Sequence, residues 1–121
     1  MSESDPTPAL LRGARLFNDR HWWHAHEAWE ELWLEAEGDL RTATQGLIQL
    51  AAAAYHLERS NIGGATRLLS TAIERLERTS SALPFSVNGP LGSARQALER
   101  LRRGELVHHE EISAIDLSFF R

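Results

Sequence analysis

Apolar positions recur along most of the chain three and four residues apart, the spacing of helices that bury one face, and nowhere does alternation predict a strand. Leu10, Ala14 and Phe17 mark a first short helix that begins about Pro8, and Asn18-Asp19-Arg20 interrupts it as a turn. A second helix runs from Trp22 to Leu34 and stops near Gly38. Its residues Trp22, Trp29 and Trp33 fall within about 40° of one another, with His26 on the same stripe. Asp39 is placed to cap a third helix, Leu40 to near Arg59, whose run LIQLAAAAYHL is the most apolar in the chain. Its alanines let neighbours approach on more than one side, so it belongs at the centre.

Ser60-Asn61 ends that helix, and Ala65, Leu68, Leu69, Ala72, Ile73 and Leu76 define a fourth. Leu91, Ala94, Leu98 and Leu101 mark a fifth. Between them, residues 79–90 (TSSALPFSVNGP) read as a long connection and the most mobile segment. Beyond Gly104, the apolar residues of EISAIDLSFFR predict a tail laid back on the body, while His108-His109 reads as solvated. Gly46 and Gly64 interrupt helices, which predicts close approach by a neighbour at each. The predicted fold class is therefore all-α: a compact multihelical array of four to five helices with an antiparallel helical hairpin at its centre. Residues 1–7 form a flexible lead-in and 8–121 a single helical domain.

Composition narrows the function classes. The 121 residues include no cysteine, which excludes disulfides, thiolate metal sites and cysteine nucleophiles. A net charge of -4, with arginines scattered from Arg12 to Arg121, gives no footprint for nucleic acid, and no apolar run is long enough to span a membrane. The expected address is cytoplasmic. No cofactor motif is present, and none is expected.

The candidate chemistry lies in the second helix, DRHWWHAHEAWEELWLEAE with its flanks, which holds all four tryptophans. His26 and Glu30 are i,i+4 neighbours on it. A tight turn to the third helix makes the pair antiparallel, which sets Gln49 opposite His26 and Gln45 opposite Glu30. The expected result is a polar cluster of His26, Glu30, Gln45 and Gln49 roofed by Trp22, Trp29 or Trp33, with Glu27 facing solvent or a helix end. His56 lies about 10 Å further along the axis, nearer Asp19 and Trp22.

These residues resemble the bacterial and archaeal family known as domain of unknown function 309. The resemblance is carried by Phe17, then His26, Glu27, Glu30 and Trp33, then Gln45-Gly46-Leu47-Ile48-Gln49, then Asn61 and Gly64-Ala65, and spans about residues 9 to 77. It implies a compact multihelical fold and no established activity.

Three functional readings follow from the cluster. In the first, it is a satisfied buried network that fixes the hairpin, and the protein is a subunit or adaptor working through its surface; its partner is unknown, and the extra tryptophans leave room for a homo-oligomer. In the second, His26 is a general acid or base in a small-molecule site or enzyme, oriented by Glu30. The third is a hydrolase-like metal site, since His-Glu-x-x-Glu departs from the zinc signature His-Glu-x-x-His only at Glu30. Amides are poor transition-metal ligands, so no metal is expected.

Overall fold

In the computed structural model, which describes residues 5–118, five α-helices pack in chain order. They are α1 (Thr7–Asn18), α2 (Trp22–Trp33), α3 (Gly38–Glu58), α4 (Ile62–Thr79) and α5 (Asn88–Arg102). α1 packs on α2, α2 on α3, α3 on α4 and α4 on α5. The all-α array and its central hairpin are as the hydrophobic pattern predicts. No helix of the described residues is long and apolar enough to cross a membrane. Met1 to Ser4 of the lead-in, and Phe119 to Arg121 of the tail, lie outside the described residues.

α3 is central because its alanines vanish into its neighbours: Ala43, Leu47, Leu50, Ala51, Ala53 and Ala54 are fully buried. Gly46 lets α4 close in, since a Cβ there would stand 2.8 Å from Leu76 Cγ. Gly64 has a different reason: it borders the side chain of Asn61, whose Oδ1 caps α4 by accepting from the Gly64 N–H at 3.1 Å. Gly13 on α1 was not singled out by the sequence, yet a Cβ there would run into the indole of Trp29.

Two expectations fail. Residues 79–90 are not a loose connection: after a 3-10 turn, Ser80–Ala82, the side chains of Leu83, Phe85 and Val87 are buried, and Ser86 forms an antiparallel bridge with Asp116. Nor is His109 solvated, because its Nδ1 accepts a hydrogen bond from Trp22 Nε1 at 2.9 Å. The tail does fold back, burying Val107, Ile112 and Ile115. Asn18 at the end of α1 holds it with two bonds to Ile115, donating from Nδ2 to the carbonyl at 2.9 Å and accepting at Oδ1 from the N–H at 2.7 Å.

Candidate functional site

Helical geometry sorts the side chains of α2 into three strips. Trp22, Ala25, Ala28 and Trp29 turn inward and are buried. Phe17 of α1 meets the Trp22 ring edge-on at 4.9 Å, and Trp29 Nε1 donates to the carbonyl of Leu10 at 3.1 Å. His26 and Trp33, about 40° further round, form a half-buried strip beside α3. Trp23, Glu27, Glu30, Glu31 and Leu34 complete an outer strip that is exposed.

The predicted cluster divides at α3. His26 Nε2 lies 3.6 Å from Glu30 Oε2, a longer contact than a good hydrogen bond, and its side chain is 16% exposed against 54% for Glu30. Gln49 is held from the other side, where its Oε1 accepts from Arg75 Nη1 of α4 at 3.0 Å. No hydrogen bond joins His26 to Gln45 or Gln49 among the described residues, and Gln45 is half-buried. Nor are Trp22 and Trp29 the roof. That place belongs to Trp23, whose ring stacks on His26 at 4.7 Å and 8° and meets Tyr55 of α3 at 5.2 Å.

Trp33 carries the Arg41 guanidinium over its ring at 4.0 Å, which closes the other end of the α2–α3 seam. The short turn expected near Gly38 does set the antiparallel register that brings these two pairs together, although α2 itself ends at Trp33 and Leu34 to Glu37 make the connection. His56 bonds to Asn61 at 3.0 Å, and it is His109 of the tail that reaches Trp22. Trp23, Tyr55, Arg41 and Arg75 were missed in the sequence. Trp23 was visible as the i,i+3 neighbour of His26, but nothing local marks Arg75 as a partner of Gln49.

Two buried side-chain nitrogens have no hydrogen-bond partner among the described residues, His26 Nδ1 and Trp33 Nε1, and both sit on the half-buried strip. The network is therefore not saturated. No group of three or more His, Asp or Glu side chains among the described residues is arranged to hold a metal ion. The hollow beside the motif is shallow, about 400 Å³, and is lined by Glu27, Glu30, Glu31 and Leu34 on the outer strip.

Resolved shifts in acidity lie away from this region, at Asp5 before α1, at Asp116 in the tail, and around the end of α5. Glu111 is held below the ordinary carboxylate value by the His108 backbone N–H and then by Arg100, and Glu105 is lowered chiefly by Arg103.

A stacked aromatic edge on an all-α array is the architecture of a helical protein whose distinctive surface is one helix. Residues 10–68, from α1 into the first turns of α4, match the family described as domain of unknown function (DUF309), the family that the motif helix resembles. The match takes in the whole motif helix and the glutamine segment. No curated protein and no solved structure matches the chain.

Proposed function

We propose that this protein is an interaction subunit and that the outer strip of α2, from Trp23 to Leu34, is the surface that holds its partner. The carrying observation is Trp23: 47% exposed, yet fixed between the parallel ring of His26 and the tilted ring of Tyr55. An exposed indole that is already immobilised loses little freedom on binding, and tryptophan dominates interface energetics. Leu34, at the other end of the strip, is 70% exposed. His26 then acts as a plate beneath Trp23 rather than as an acid, base or ligand. This role needs no cofactor and fits the cytoplasmic address expected from the composition.

The carboxylates between the two apolar residues define the partner's chemistry. An antiparallel pairing of α2 with itself that seats Trp23 on Leu34 would set Glu27 against Glu30, and facing like charges cost several kcal/mol. The complementary surface is basic with an apolar centre. A photo-crosslinking side chain in place of Glu27 should trap a defined adduct in cells, one lost on Trp23→Ala and absent when the crosslinker replaces Arg67 on α4. Equal trapping from both positions, or an adduct indifferent to Trp23→Ala, would sink the reading.

The unpartnered His26 Nδ1 and Trp33 Nε1 favour a second reading, in which a small polar molecule enters the α2–α3 seam beneath Trp23. A metabolite that raises the melting temperature of the native chain but not of His26→Ala would support it; a broad panel without such a member would remove it.

A further inference from the structure

The chain carries a surface of the required chemistry on its own far helices. From Trp22 to Glu37 it has Glu27, Glu30, Glu31, Glu35 and Glu37 and no arginine, whereas α5 has Arg95, Arg100 and Arg102 against Glu99 alone, with Arg103 and Glu105 just past its end. Ile73 of α4 and Leu98 of α5 floor a groove of about 480 Å³ lined further by Arg95, Arg102 and Arg103 and by one acidic residue, Glu99. α2 packs on α1 and α3 while α5 packs on α4, so the acidic strip and the basic groove belong to helices that are not packed neighbours.

We infer that the outer strip of α2 on one copy binds the α4–α5 groove of a second copy, so that the protein associates head to tail. The inference rests on the reading of α2 as an interaction surface. Leu34 meets Ile73 and Leu98, and the glutamates of α2 meet the arginines that stand one turn to either side of Leu98. The charges free to pair are specific. Arg95 is held by Glu77 at 2.7 Å, and Arg103 by Glu99 and Glu105, each at 2.6 Å. Arg102 makes no ion pair among the described residues, and neither does Glu27. Because the two surfaces differ, one contact leaves a strip and a groove open at the two ends, and the assembly grows into a ring or an open chain.

Sedimentation of the full chain tests this. The native protein should associate with rising concentration, and less so in about 1 M salt, where charges are screened beyond about 3 Å. Glu27→Arg and Arg102→Glu, both at exposed positions, should each weaken association at least about tenfold while melting as the native chain does. An equimolar mixture of the two variants should associate again, because every contact between unlike copies then pairs opposite charges. Monomeric native protein at about 1 mM in low salt, or a mixture that fails to reassociate, would overturn the inference. Association lost in Trp23→Ala and Glu27→Arg but retained in Arg102→Glu would also overturn it, while leaving α2 as the interaction surface with another occupant.

Discussion

The indole nitrogen of Trp29 donates to Leu10 across the α1–α2 contact, whereas that of Trp33 is buried with no acceptor among the described residues. Replacing each by phenylalanine should therefore have different results. Trp29→Phe loses a hydrogen bond and leaves a void, which should cost about 1–3 kcal/mol; Trp33→Phe removes a desolvated N–H and should cost less than about 1 kcal/mol or stabilise. Urea midpoints compare them directly, and equal losses would mean the Trp33 nitrogen is satisfied in solution. Gly13→Ala should destabilise by about 1–3 kcal/mol despite alanine's helix propensity, because the added carbon meets a ring with no room to move. At this scale the sequence was half legible. Its helical wheel set His26 and all three aligned tryptophans on one stripe, but the 40° between Trp22 and His26 is the width that separates a core position from a seam position. Which side of that line a residue takes depends on partners such as Gly13 and Tyr55, which lie on other helices.

Helix ends show the same dependence on local chemistry. α1, α3 and α5 finish alike: the N–H three residues past the helix bonds back to a carbonyl five residues earlier, seen at His21 to Leu16, Asn61 to His56 and Glu105 to Arg100. The residue before that N–H must turn left-handed, and Gly104 does so freely at φ +79, but Arg20 and Ser60 stand at φ 62 and φ 60. Ser60→Gly should consequently raise stability by about 0.5–1 kcal/mol, read as a higher melting temperature; an unchanged or lower one would mean that the left-handed turn costs Ser60 nothing. Most helix boundaries were legible from such breakers. The segment 79–90 was misread because its Ser, Pro, Asn and Gly outweighed the alternation of Leu83, Phe85 and Val87, a period of two that signals an extended stretch with one buried side. The tail beyond α5 is fastened by lowered carboxyls at Glu105 and Glu111. A depressed carboxylate contributes above its unfolded value and ceases to as pH falls through its folded one, so the protection of the Ile112 amide, taken relative to intrinsic exchange at each pH, should fall below the ordinary carboxylate range and hold on the alkaline side.

Across the described residues, each helix packs on the one before it, and the tail returns to the beginning. The array was legible as a whole because serial packing is what short turns between amphipathic helices impose. The return was legible only as a tendency of apolar residues to find cover, since nothing in the sequence identifies Asn18 as the partner of Ile115. That pair spans 97 positions of chain, far more than any contact between successive helices. Contacts of that span form after local ones have assembled, so the Asn18 clasp should be absent at the folding barrier. Asn18→Ala should speed unfolding several-fold and leave the refolding rate nearly unchanged in stopped-flow measurements; slowed refolding would place the clasp in the nucleus instead. One asparagine side chain then sets how long the native state lasts, and has little say in how quickly it is reached.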